Sequence, residues 1–91
     1  MSDYGMYRPS KRPLVKDVSQ WHVLFEDSVD RDWRGRNIWV MVENGWPFPD
    51  FYRITYEIDN VKKSKLFYGE SAWMQVNQFV RDLGFIAYVG V

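Results

Sequence analysis

Residues 65–91 constrain the fold more than any other stretch, because a strand, a helix entry, a helix, a stop and a second strand follow one another there without conflict. Leu66-Phe67-Tyr68 is a short aromatic run of high β propensity. Gly69-Glu70-Ser71 breaks it and offers Ser71 as an N-cap, whose hydroxyl can accept from a helix N–H that has no partner within the helix. Ala72, Val76, Phe79, Val80 and Leu83 then recur at helical spacing with Trp73 beside them, while Gln75, Asn77, Gln78, Arg81 and Asp82 fill the opposite face. This predicts one amphipathic helix over 72–83. Gly84 suits the left-handed residue that ends a helix, and Phe85 is placed to touch Val80 in a Schellman closure. Phe85-Ile86-Ala87-Tyr88-Val89 is apolar at both parities, as expected of a strand covered on both faces or placed at a subunit contact.

Upstream the period changes from helical to alternating. Residues 38–43 are apolar at both parities until Glu43 and predict a central strand, which Asn44-Gly45 should end. Trp46-Pro47-Phe48-Pro49-Asp50 follows as a rigid aromatic connection, since neither proline can donate to a ladder. Residues 51–59 alternate cleanly, with Tyr52, Ile54, Tyr56 and Ile58 toward a core and Arg53, Thr55, Glu57 and Asp59 toward water. Residues 60–64 read as a hairpin turn leading into a strand at 65–68. Residues 21–26 alternate Trp21, Val23 and Phe25 against His22, Leu24 and Glu26, which allows a further strand.

The fold expected from these periods is α+β. It has a small antiparallel sheet made of a three-strand meander (38–43, 51–59, 65–68) and a C-terminal strand (85–89), with one helix packed across one face; residues 21–26 either extend the sheet as an N-terminal strand or give way to a short helical turn after Asp17 or Ser19. Residues 1–16, with Arg8, Lys11, Arg12 and Lys16 against Asp3 alone, read as a basic extended arm, and residues 17–91 as a single domain.

Several function classes are excluded or disfavoured. The chain has no cysteine, so thiolate catalysis, disulfides and cysteine-ligated metals are absent. His22 is the only histidine, and no nucleophile elbow accompanies it. Asp27, Asp30 and Asp32 lack the glycine and closing glutamate of a calcium loop, and Arg31, Arg34 and Arg36 compete for their carboxylates. No glycine-rich phosphate loop occurs. The expectation is a protein that is not an enzyme and takes no cofactor and no metal. No run approaches the roughly 18 apolar residues of a spanning helix, and the first residues contain no apolar signal core, so the reading expects a cytoplasmic protein without a membrane partner.

Aromatic content points to binding. Five Trp, six Tyr and six Phe are more large rings than a chain of 91 residues hides easily. Trp46, Phe48 and Trp33 fall in expected loops, and Trp next to Arg is the pairing enriched at interface hot spots. The favoured expectation is a protein-binding module that contacts another protein through Trp33, Arg34, Arg36, Trp46 and Phe48. Small single-domain proteins of viruses and mobile elements that inhibit a host protein share this general look. The alternative is a single-stranded nucleic-acid binder that stacks bases on Trp39, Tyr52, Tyr56, Phe67 and Tyr68 and holds phosphates with Arg8, Lys11, Arg12, Lys62, Lys63 and Lys65. Twelve basic side chains balanced by twelve acidic ones weigh against it. An unpaired edge strand would also offer a homodimer contact.

Overall fold

In the computed structural model the described residues are 12–85, so residues 1–11 of the expected 1–16 arm and residues 86–89 of the expected 85–89 strand lie outside them. A single 3-10 turn at Val15–Asp17 leads into β1 (Gln20–Val29), β2 (Ile38–Trp46), β3 (Phe51–Ile58), β4 (Val61–Tyr68) and α1 (Ala72–Asp82). The four strands pair in sequence order, all antiparallel. The helix lies over β3 and β4. The expected α+β meander with one covering helix is therefore the observed architecture, and the N-terminal strand is a full member of the sheet.

Residues directly opposite in an antiparallel pair point to the same side, so the register assigns every strand residue a face. Ile38, Val40 and Val42 of β2, Tyr52 and Ile54 of β3 and Phe67 of β4 share the helix side, where they are buried with Ala72, Val76 and Val80. Burying each Val, Ile or Phe among them contributes about 1.5–3 kcal/mol. Aromatic rings complete the layer: Trp73 packs on Tyr52 at 5.4 Å between centroids, and Phe79 packs on Tyr56 at 5.1 Å and Phe67 at 5.9 Å. The helix ends as its sequence requires. Gly84 has φ +109°, its N–H donates to the Arg81 carbonyl, and the Phe85 N–H donates to the Val80 carbonyl, completing a Schellman motif. Phe85 is buried, and its ring reaches Phe25 of β1.

β1 departs from the simple alternation expected of it. Val23 opposes Glu43 while Phe25 opposes Val42, so Leu24 is an extra residue, a β-bulge. One inserted residue inverts the parity of everything beyond it. Trp21 and Val23 therefore share the side away from the helix, whereas Phe25 and Val29 turn to the helix side and pack against the core.

β2 does not stop at Asn44-Gly45 but continues to Trp46, because a glycine is what the sheet needs at position 45. A Cβ on Gly45 would lie 2.9 Å from Val18 Cγ2, 3.0 Å from Trp21 Cζ3 and 3.1 Å from Phe51 Cδ2. The missing side chain makes room for a second, smaller core on the side away from the helix. There the Trp21 and Phe51 rings lie 5.6 Å apart, Phe48 closes on Phe51 at 6.1 Å, and the Arg53 guanidinium stacks 4.0 Å above Trp21 while its Nε donates to the buried Glu43 carboxylate. Phe51 is thus completely buried although it opposes the parity of the main core.

Two other local expectations are corrected. The β3–β4 connection is not a turn over 60–64: Ile58 pairs with Val61, and only Asp59 and Asn60 turn, with φ of 50° and 73°. Both central residues are left-handed, as a two-residue hairpin turn demands, and Asp and Asn tolerate that conformation better than most residues. Ser71 does not cap α1 through its hydroxyl. Its backbone is not extended (φ −93°, ψ 8°), and its Oγ accepts instead from the Gln75 side-chain amide at 2.8 Å.

Ile54→Ala should lower unfolding free energy by about 2–5 kcal/mol, because it opens a cavity at the centre of the main core. Phe79→Ala should cost less than Ile54→Ala, since Phe79 is only partly buried. Gly45→Ala should destabilise by about 1–3 kcal/mol through overpacking, against the gain that alanine usually gives in a strand. Chemical denaturation of the three variants checks the order.

Candidate functional site

The β1–β2 loop, residues 30–37, is built around one carboxylate. Asp32 Oδ1 accepts from the backbone N–H of Arg34 at 2.9 Å and of Arg36 at 2.8 Å, and Oδ2 accepts from Arg36 Nε at 3.2 Å and Nη2 at 3.0 Å. The Asp32 N–H donates to the Arg36 carbonyl, and the Gly35 N–H donates back to the Asp32 carbonyl. Gly35, at φ +79°, provides the left-handed step that lets the chain close on itself. The Arg36 backbone N–H is the main influence holding the Asp32 carboxyl below the usual carboxylate range; desolvation opposes it, and the Arg36 guanidinium and Arg34 N–H reinforce it.

The loop is also fastened to the neighbouring hairpin. Asn37 N–H donates to Asp59 Oδ1, Asp59 N–H donates to the Asn37 carbonyl, and Asn37 Oδ1 accepts from the Arg31 N–H. On this platform stands Trp33, 82% exposed, with the Arg34 guanidinium 4.4 Å from its ring centroid. Arg36 has been drawn inward to Asp32. Trp33 and Arg34 are exposed together, with Asp30 and Arg31 also in solvent beside them.

Trp46 and Phe48 lie elsewhere. The rest of β2 separates Trp46 from the 30–37 loop, roughly 26 Å from one end of the strand to the other at about 3.3 Å per residue. The 46–49 connection is tied down by Asn44 Nδ2, which donates to the Phe48 and Phe51 carbonyls, and by Tyr52 Oη, which donates to the Pro49 carbonyl. Phe48 folds onto Phe51 as part of the second core, whereas Trp46, the last residue of β2, is half exposed. The five residues expected to contact a partner therefore divide between the two ends of the sheet.

The residues of the nucleic-acid alternative divide as well. Arg8 and Lys11 lie outside the described residues. Arg12 is exposed ahead of the 3-10 turn, remote in sequence from β4. Alternation sends Lys62 to the open face and Lys63 and Lys65 to the helix side. Of the five strand aromatics, Tyr52, Tyr56 and Phe67 are on the helix side, leaving Trp39 and Tyr68 on the open face. That face carries Glu26, Glu43 and Glu57 against Arg53 and Lys62, and Glu26 accepts from the Trp39 indole N–H at 2.9 Å.

His22 is exposed, with Nε2 2.8 Å from Gln20 Oε1. Among the described residues no group of three or more His, Asp or Glu side chains is arranged to hold a metal ion, and no helix is long and apolar enough to cross a membrane. Asp32 is indistinguishable in composition from the other loop acids. Its signal is local: an Asp two residues before a donor N–H, followed by Gly, is the pattern of an Asx turn.

Because the folded pKa of Asp32 is depressed, its contribution to loop order is complete above the pKa of an unstructured aspartate and is lost as pH falls through the lower, folded value. Following the Arg34 and Arg36 amide resonances in acid should give one shared midpoint below that of aspartate in an unstructured peptide, absent in Asp32→Asn. Comparison with protein-family models, with curated proteins and with solved structures finds no match to this chain.

Proposed function

We propose that the protein is a non-enzymatic binding module that contacts another protein through the 30–37 loop, with Trp33 as the anchor and Arg34 beside it. One observation carries this reading. A tryptophan 82% exposed to water stands on a loop whose backbone is fixed by a single carboxylate and tied to the next hairpin. An exposed indole gains nothing for the isolated fold. A rigidly presented one lowers the ordering cost of association, and Trp and Arg dominate binding energy at interfaces. Inhibition of a host protein by a virus or mobile element is one use of such a module, and cytoplasmic placement suits it. Nucleic-acid binding is the weaker reading, since the lysines it needs fall on two faces of the sheet.

Trp33→Ala should leave the melting temperature within about a degree, because so largely exposed a side chain contributes little to stability, and should abolish capture of the partner from lysate of the source cells. Arg34→Ala should weaken capture, and Trp46→Ala should leave it intact. Equal recovery of the same proteins by wild type and Trp33→Ala would refute the assignment.

A further inference from the structure

The two edges of the sheet are built differently. β1 is interrupted by the bulge at Leu24 and carries Glu26 and Asp27. β4 pairs with β3 through all eight of its residues without a register shift, so its outer N–H and C=O groups form a regular row, and no described strand pairs with them. Regular open edges accept further strands. β4 also carries Lys62, Lys63 and Lys65 and no acid. None of the three is in an ion pair among the described residues. The Lys65 ammonium sits over the Phe67 and Phe79 rings at 5.6 and 5.3 Å and that of Lys62 over Trp39 at 5.6 Å, contacts that place the charges without neutralising them.

We infer that the β4 edge is a second docking site, taking an extended acidic segment of another protein as a fifth strand of the sheet. Main-chain hydrogen bonds to β4 would supply the attachment and the lysines the selection. Because side chains alternate, carboxylates two residues apart on the added strand meet Lys63 and Lys65 on the helix side, and a carboxylate of the opposite parity meets Lys62. The same charges disfavour the two self-associations the edge would otherwise invite. Two β4 strands paired across a dyad would bring like ammonium groups to one seam, and the acidic β1 of another copy is put out of register by its bulge. A nucleic-acid backbone following one face would meet only two of the three lysines, since Lys62 lies on the face opposite Lys63 and Lys65. This site stands on observations separate from those at Trp33.

The test is titration of the full chain, labelled with 15N, by a synthetic peptide alternating glutamate with threonine. The amides of residues 61–68 should shift, and affinity should fall as salt is raised. Lys63→Gln/Lys65→Gln, with its fold verified by an unchanged melting temperature, should bind about tenfold more weakly, a difference of about 1.4 kcal/mol. The Trp33→Ala variant should bind the peptide like wild type, so that failure here and failure of the Trp33 assignment remain distinct. The inference is overturned by the absence of shifts on β4. It is equally overturned if a peptide with prolines replacing the threonines binds as well, which would mean charge without strand pairing, or if single-stranded oligonucleotides compete at equal affinity.

Discussion

The pairing of β2 with β3 decides which side of the sheet every other group occupies. Ile38, Val40 and Val42 stand beside Ile58, Tyr56 and Ile54, and the helix can cover only the side on which those residues gather. Once that parity is set, Trp39, Met41 and Glu43 must face away from the helix, and Gly45 with them. The second core follows: with no side chain at 45, Trp21 and Phe51 close over the strand, and Arg53 finds both an aromatic face and the Glu43 carboxylate. A buried Glu43 without Arg53 would cost several kcal/mol, so the small core depends on the same register as the large one.

The 30–37 loop is fastened to this frame. β2 begins at Ile38, which is buried, and Asn37 just before it is held to Asp59 in the β3–β4 turn. The Asp32 carboxylate then takes the Arg34 and Arg36 N–H groups, so the loop is ordered by polar contacts at its base while its apolar group faces out. An ordered loop with its only tryptophan in water inverts the usual economy of folding, in which rings are buried and charges solvated. The inversion is what distinguishes Trp33 from the other four tryptophans, none of which is exposed to the same extent.

Much of the fold was legible in the chain because its periods are strong. The helix from Ala72, its glycine stop and the alternation of Tyr52, Ile54 and Tyr56 depend on local spacing, and local spacing survives into the structure. What was not legible depends on single residues acting at a distance. The bulge at Leu24 inverts half a strand without any glycine or proline to mark it. Gly45 resembles the end of a strand in Asn44-Gly45, and only the convergence of Val18, Trp21 and Phe51 on it shows why the strand continues. In the loops, Trp33, Trp46 and Phe48 have equal claims as sequence; Phe48 is absorbed by a core whose existence depends on Gly45. Arg36 likewise reads as a surface cation until Asp32 is seen to hold it.

The hydrogen bonds that close the loop on the Asp32 carboxylate should hold Trp33 rigidly in water. Backbone 15N relaxation of the free protein measures this directly, with the Trp33 indole N–H as an additional probe. Order parameters for residues 32–36 should lie close to those of the strands, about 0.85, and should fall markedly in Asp32→Ala. Values below about 0.6 in the wild-type loop, or values unchanged by removal of the Asp32 carboxylate, would contradict it.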